Sequence, residues 1–347
     1  MMAPDALLRE RGATQETGEF VVAAGFSGHV AGFALGDGTV RLVSGDGEWR
    51  TIEVHDGPVL SMVTTSGGWL TGGDDGGFRR VAVDGAVSEV ARFKGKWVEQ
   101  VAAFSDAKAP LVACAVGKIV HVFDMKAGGG KGERLKSLDH PSSVTGIAFD
   151  GKGKRVAASH YNGCSLWFVN AKADTPRVLE WKGSHTGIIL HPAGEAVVTS
   201  MQENALHGWR LADSQHMRMS GYPSKTESLS FSKNGKWLAS SGADTVVMWP
   251  FFGGGPMGKA PTELAGGDGV MCSQVAFHPQ QEMVAAGFTD GLVVIADVAS
   301  ERILPIAVPK EGPASRKVTA LAWSADGSKL AFGTETGFAA LVDLAKR

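Results

Sequence analysis

Short apolar runs alternate with turn-forming residues along the chain. Each run is four to seven residues long and rich in Val, Ala, Leu and Phe. Runs of this length are too short for typical helices and fit strands better. Residues 317–345 show the full pattern: an apolar run ending in an aromatic residue, a polar turn, a run of small residues, a second turn and a third apolar run. The pattern therefore predicts an all-β fold of short strands.

The same unit occurs eight times. The units lie at 20–43, 59–83, 98–125, 143–170, 185–213, 226–251, 272–300 and 317–345. Several second turns contain Asp-Gly or Asn-Gly pairs, such as Asn162-Gly163, which favour two-residue hairpins because the turn needs positive φ. A fourth apolar segment follows most units. Four strands in a period of about 43 residues are typical of one blade of a β-propeller.

The repeat count predicts a β-propeller of four-stranded antiparallel blades. We favour eight blades, with seven as the alternative if the first unit is not a blade. The eighth unit reaches its third strand at 338–344, so its fourth strand must come from elsewhere. We expect residues 5–12, within an N-terminal segment at 1–18, to supply that strand and close the ring, which removes open sheet edges. The whole chain, 1–347, is predicted to be one domain.

Particular motifs in these units resemble the WD-repeat (WD-40) family. The stretches FHPQQ, FSKNGKWLASSG and WSADGSKLAFG match the first hairpin of a repeat, and DGTVRLV and DGLVVIAD match the second. The resemblance covers roughly residues 19–347, although pairs such as Trp209-Arg210 and Trp249-Pro250 replace the WD dipeptide. It implies a buried Asp–His–Ser/Thr–Trp network within blades. Because most members of the family are binding platforms, it also implies a non-catalytic scaffold.

Composition narrows the partners and the compartment. The 347 residues are 44% hydrophobic and 20% charged, with a net charge of −2, which gives no reason to expect nucleic acid or a membrane as the main partner. There is neither a long apolar run nor a secretory signal. Three irregularly spaced cysteines fit a reducing compartment. We predict a cytoplasmic protein, without a cofactor, that is a monomer or a subunit of a complex.

A glycine-rich stretch, FFGGGPMGKA, resembles a phosphate-binding loop. It contains Gly253, Gly258 and Lys259 at the required spacing, but Ala260 stands where a Ser or Thr would hold magnesium. A second glycine-rich loop, at 127–134, occupies the equivalent place in another unit. We therefore interpret both as connectors. If the Phe pair that opens the stretch is exposed, the loop is a secondary contact site; if it packs inward, the loop only connects strands.

No arrangement of residues predicts catalysis. The histidines lack His-x-x-His or His-x-His spacing, so structural roles are favoured over metal binding. The leading hypothesis is a scaffold that binds a protein or peptide on one face; the alternative is an enzyme or metal-dependent protein with a site in the axial channel. Trp97, in a polar connector, is the best candidate for an exposed anchor. The predicted binding face carries Trp97, His140, His160, Tyr161, His185, Glu203 and Asp244.

Overall fold

The computed structural model describes residues 6–104, 110–126, 132–309 and 316–345. Within these ranges the regular structure is one short helix, α1 (Ala6–Arg11), and thirty strands, so the all-β prediction is confirmed. Contacts divide the chain into two compact units: unit 1 is Met1–Ile52 with Tyr222–Arg347, and unit 2 is Glu53–Gly221. The assignment of 1–347 to a single domain stays a prediction.

The strands follow one another with short turns. The first five are β1 (Gly12–Glu16), β2 (Val21–Ser27), β3 (Val30–Leu35), β4 (Thr39–Val43) and β5 (Trp49–Glu53). The next group is β6 (Val59–Thr65), β7 (Gly68–Gly73), β8 (Gly77–Ala82), β9 (Val87–Arg92), β10 (Gln100–Phe104), β11 (Leu111–Val116), β12 (Ile119–Asp124), β13 (Glu133–Asp139), β14 (Gly146–Phe149), β15 (Arg155–Phe168), β16 (Arg177–Leu190), β17 (Ala196–Met201), β18 (Ala205–Arg210) and β19 (His216–Met219). The last group is β20 (Leu229–Phe231), β21 (Trp237–Ser240), β22 (Thr245–Pro250), β23 (Thr262–Gly266), β24 (Cys272–Phe277), β25 (Met283–Phe288), β26 (Val293–Asp297), β27 (Ile303–Ala307), β28 (Val318–Trp323), β29 (Lys329–Thr334) and β30 (Phe338–Asp343).

Unit 1 contains four four-stranded sheets: β2–β5, β20–β23, β24–β27, and β28–β30 completed by β1. β1 pairs antiparallel with β30, from Gly12 opposite Val342 to Glu16 opposite Phe338. An N-terminal strand therefore completes the last sheet, as predicted. It lies at residues 12–16 and not at 5–12, of which the described residues before Gly12 form α1.

The helix forms because ALLRER consists of strong helix formers. Leu7 and Leu8 pack against the apolar cluster between the last two sheets, and the Arg11 guanidinium donates to the Leu344 carbonyl at 3.3 Å. The helix ends before Gly12, where only glycine fits, because a Cβ there would lie 2.3 Å from the carbonyl oxygen of Leu8. The helix thus takes residues that the sequence pattern assigned to the closing strand.

Unit 2 contains two four-stranded sheets, β6–β9 and β10–β13, and one six-stranded sheet, β14–β19. In the larger sheet, β15 and β16 are each 14 residues long. β15 folds back on itself, since Asn162 and Gly163 have positive φ of 64° and 142° and Val169 N–H donates to the Lys154 carbonyl at 3.0 Å. β16 runs without a break from its pairing with β15 to its pairing with β17.

The fourth and fifth predicted units are therefore joined in one sheet. The described residues form seven hydrogen-bonded sheets, so the prediction of eight separate blades is not confirmed. The reason differs from the one expected, because the first unit does form a sheet of its own, β2–β5. Four-stranded antiparallel sheets that follow one another along the chain are typical of a β-propeller, and the predicted fold class is confirmed.

Apolar residues fill the space between successive sheets. In one cluster, Val246 and Leu264 of the β20–β23 sheet pack with Val284 and Phe288 of the β24–β27 sheet. The inner strands are buried on both faces, as in β25 and β29, which explains their near-continuous runs of Ala, Val, Leu and Phe. Because the strands are packed in the core, a partner can contact mainly the turns and connectors at the ends of the sheets.

Candidate protein-binding surface

In unit 2, connectors between sheets lie against hairpin turns. Val98 N–H in the β9–β10 connector donates to the Gly73 carbonyl at 3.0 Å, where β7 ends. Val144 N–H in the β13–β14 connector donates to the Gly117 carbonyl at 2.8 Å, in the β11–β12 turn. Each connector is thus fixed beside the second hairpin of the sheet before it. Connectors and second turns therefore share one edge of the unit.

Side chains extend this contact along the six-stranded sheet. Tyr161 N–H donates to Ser142 Oγ at 3.0 Å, and Gly183 N–H donates to Asn162 Oδ1 at 3.2 Å. Further along, Ser184 N–H donates to Glu203 Oε1 at 3.1 Å. We call the surface formed by these connectors and turns the connector edge; it comprises residues 93–99, 117–118, 140–144, 161–163, 183–185 and 202–204.

Three histidines predicted for the site lie beneath this surface. His140, His160 and His185 are 2%, 2% and 0% exposed. The Trp167 indole N–H donates to His140 Nε2 at 3.0 Å, so His140 carries its proton on Nδ1, which donates to the Lys118 carbonyl at 3.2 Å. Burial lowers the pKa of His140 to about 4. A neutral His140 therefore joins the connector to β15.

The other two histidines make equivalent bonds. His160 Nδ1 donates to the Tyr161 carbonyl at 2.9 Å, and its Nε2 accepts from Ser165 Oγ at 2.8 Å. His185 Nε2 donates to the Trp181 carbonyl at 2.9 Å, and its Nδ1 contacts Thr199 Oγ1 at 2.7 Å. Burial lowers the pKa of His185. These rings hold the turns in place and offer no surface for direct contact.

Trp97, Tyr161 and Glu203 are the exposed members of the predicted site on the connector edge. Trp97 is 60% exposed and Tyr161 56% exposed, among the highest values for large apolar side chains. The turn that presents Trp97 is fixed by backbone bonds from Phe93 N–H to the Gly76 carbonyl at 2.8 Å and from Lys96 N–H to the Phe93 carbonyl at 3.0 Å. Of the seven predicted residues, three are thus exposed on this edge, and His140, His160 and His185 are buried beneath it.

Asp244 is the seventh predicted residue and lies in unit 1. It is half-buried, and its Oδ2 accepts from Gly269 N–H at 3.3 Å. It belongs to a local turn contact, and its part in binding stays a prediction. The sequence reasoning missed Ser142, Asn162 and Ser184, which join the predicted residues into one surface. Asn162 was predicted only as a turn residue, and the only signal for Ser142 and Ser184 was their place in the repeat, next to predicted residues.

Partial forms of the family's buried network occur in both units. His55 Nδ1 donates to Asp75 Oδ1 at 2.9 Å, while His55 Nε2 contacts Thr71 Oγ1 at 2.9 Å. In unit 1, Tyr222 takes the place of the histidine: its hydroxyl contacts Ser240 Oγ and accepts from Trp249 Nε1, both at 2.6 Å. The network implied by the resemblance is thus present in modified form.

The glycine-rich stretch after β22 is a strand connector. Lys259 Nζ donates to the carbonyls of Phe252 and Gly253, the second at 3.3 Å, and lies 4.9 Å from the Phe252 ring centre. No helix follows in the described residues up to β23. Phe251 packs edge-on against Phe231, whereas Phe252 is 45% exposed. One Phe packs inward and the other stays open to contact; most of the second loop, 127–131, lies outside the described residues.

The described residues also bear on metal binding, cysteine reactivity and membrane spanning. No group of three or more His, Cys, Asp or Glu side chains among them could hold a metal ion. Cys114, Cys164 and Cys272 are free and buried, and burial raises the pKa of Cys272 to about 12. Of the described helices, none has the length and apolarity needed to cross a membrane.

Comparisons with known proteins identify the repeat. The model "WD domain, G-beta repeat" matches residues 215–249, and the model "Anaphase-promoting complex subunit 4 WD40 domain" matches residues 275–347. The crystal structure of the computationally designed Ika8 protein is similar, with a TM-score of 0.75 and 19% identity over 95% of this chain and 98% of that chain. At this identity the likeness shows the fold alone. No curated protein matches.

The sequence repeats, the fold, the partial hydrogen-bond networks and the matches to repeat models all point to WD repeats. The fold is a β-propeller, and the matches at residues 215–249 and 275–347 support a propeller of the WD-repeat type.

Proposed function

We propose that this WD-repeat protein is a non-catalytic scaffold whose connector edge binds a protein or peptide partner. The WD-repeat propeller fold generally supports a protein-interaction role. The observation that carries the choice of surface is the exposure of Trp97 and Tyr161 on backbone-fixed turns of the same edge. Because Trp and Tyr dominate binding energy at interfaces, exposed examples on rigid turns are suited to contact.

Rigidity favours binding at this edge. The Trp97 turn is held from both sides, and Tyr161 is anchored through its backbone N–H to Ser142. A partner therefore orders few groups when it binds, which lowers the entropic cost of association. The exposed carboxylate of Glu203 and the Asn162 side chain add polar contacts that would fix the orientation of the partner.

The buried groups support a scaffold more than an enzyme. The rings of His140, His160 and His185 are hydrogen-bonded within the sheets, and the three cysteines are buried. An enzyme or metal-dependent protein with an axial site is the alternative, and metal analysis of the purified protein separates the two. Residues 275–347 are similar to a domain of a subunit of a complex, which favours a role for this protein as a subunit of a larger assembly. We also propose a cytoplasmic location.

The test is affinity capture with a matched control. Trp97→Ala with Tyr161→Ala should reduce recovery of specific partners at least tenfold, while the melting temperature stays near that of the wild type. Phe168→Ala is the control, because Phe168 is also 60% exposed but lies at the end of β15 away from the connector edge. Unchanged recovery with the folded double variant would contradict the proposal.

A further inference from the structure

A pocket of ≈ 430 Å³ opens beside the connector edge, where β16 passes from one half of the six-stranded sheet to the other. Its size lies within the range of ligand sites in proteins. Met201, Ala205 and Leu206 are buried apolar residues of its wall. Its other lining residues are Trp181, Lys182, Glu203, His207 and Arg218. Since Glu203 belongs to both, the pocket and the connector edge form one surface.

An aromatic stack fixes one side of the pocket. The Trp181 and His207 rings are parallel to within 12°, with centres 4.0 Å apart. His207 Nε2 contacts His216 Nδ1 at 2.9 Å, which sets the His207 ring plane. Burial, together with the neighbouring His216, lowers the pKa of His207 to about 3. His207 is therefore neutral near pH 7, and the stack contributes an apolar, preformed wall.

Two cationic side chains lie at the rim of the pocket. Lys182 and Arg218 are exposed, and neither has an acidic partner within the described part of the chain. The carboxylate of Glu203 is the one acidic group of the lining, and its Oε1 already accepts from Ser184 N–H. The rim thus carries an excess of positive charge above an apolar wall. Arg can bind a carboxylate through two parallel hydrogen bonds, which gives a defined geometry.

We propose that this pocket takes an acidic–apolar pair of a partner peptide: an apolar side chain enters against Trp181, and a neighbouring Asp or Glu pairs with Arg218 and Lys182. The inference rests on the proposed function and names the class of its partner segment. Charge complementarity argues for it, because a basic peptide would meet two unpaired cations. A nucleic acid would offer phosphates to the rim and a base to stack on Trp181, but the net charge of −2 provides no general attraction for it.

The test selects peptides on the full-length protein from a random library of twelve-residue peptides. Enrichment of Asp or Glu next to Leu, Ile, Met or Phe is expected. The most enriched peptide is then synthesised and its Kd measured by fluorescence polarisation. Lys182→Glu and Arg218→Glu should each weaken binding at least tenfold. Lys172→Glu is the matched control, since Lys172 is an exposed lysine just beyond the opposite end of β15, and it should change Kd less than twofold.

Each other outcome overturns the inference. No enrichment, enrichment without acidic residues, or a Kd unaffected by Arg218→Glu would show that the pocket is not the site. Measuring the same peptide with Trp97→Ala and Tyr161→Ala separates the two proposals. Binding lost in that double variant but kept in Arg218→Glu would leave the connector edge as the binding surface and exclude the pocket.

Discussion

Trp167 donates its indole N–H to Nε2 of His140 at 3.0 Å and so fixes a connector to the third strand of a blade. Trp209 occupies the same position in the next hairpin and lies 5.8 Å from His185 between ring centres, but its indole N–H has no hydrogen-bond partner within the described residues. Both tryptophans are buried. Comparing substitutions at the two tryptophans therefore measures how much the hydrogen bond from Trp167 to His140 contributes to stability.

Trp167→Phe should destabilise the protein more than Trp209→Phe. The first change leaves His140 Nε2 without its donor, which costs about 1–3 kcal/mol for a buried group, whereas the second removes a donor that is already unpaired. Both changes lose similar apolar area. Urea unfolding of the two variants gives the difference in the free energy of unfolding. Equal losses would mean that the bond to His140 adds nothing.

Stability should fall as the pH is lowered from 7 to 5. The pKa of His140 is lowered to about 4 in the folded protein from 6.5, because the ring is buried. Protons therefore bind the unfolded chain first, so the stabilisation is complete above pH 6.5 and is lost as the pH falls towards 4. For one such group the loss between pH 7 and 5 is about 2 kcal/mol. Urea unfolding of the wild type and His140→Gln should show a shallower pH dependence in the variant; identical slopes would contradict this role.

Asp75→Ala should be strongly destabilising. Asp75 bonds His55 and lies 2.9 Å from Arg79, with side-chain exposures of 9% and 11% for Asp75 and Arg79. Removing the carboxylate leaves a buried guanidinium unpaired, which costs about 3–5 kcal/mol. Asp213→Ala is the control: Asp213 pairs with Arg210 at the surface and its loss should leave the unfolding midpoint near that of the wild type. Similar midpoints for both variants would show that the buried pair is dispensable.

The glycine-rich stretch should not bind nucleotide. The Lys259 ammonium already donates to two carbonyls of its own loop, so it is not free to receive a phosphate. Isothermal titration with Mg-ATP should show no binding at micromolar affinity for either the wild type or Lys259→Ala. A micromolar Kd that is lost in Lys259→Ala would restore the phosphate-loop interpretation.

The repeating pattern predicted the strands because a strand that is buried on both faces needs a short run of apolar residues. This requirement holds whichever strands lie beside it. It could not predict that Arg155–Phe168 and Arg177–Leu190 would join two units in one sheet, since continuity of a strand depends on pairing and not on pattern. The closing strand was misplaced by a few residues because helix formation by Ala6–Arg11 depends on its packing against the last sheets.

The positions of the proposed site in the repeat were predictable, but the exposure of their side chains was not. Repeat register placed Trp97, Tyr161 and Glu203 on the edge where connectors and second turns meet. It did not separate them from His140 and His185, because exposure depends on which way each side chain turns from the sheet. The pocket beside Trp181 had no sequence signal, since its lining comes from several strands that meet only in the folded sheet.

The most direct measurement of the central claim is site-specific cross-linking in cells. A photoreactive amino acid replaces Trp97, Tyr161 or Phe168 in turn, and cross-linked proteins are identified. We expect positions 97 and 161 to capture the same partner and position 168, equally exposed at the far end of β15, to capture it at background level. Capture of that partner at position 168 with none at 97 and 161 would contradict binding at the connector edge.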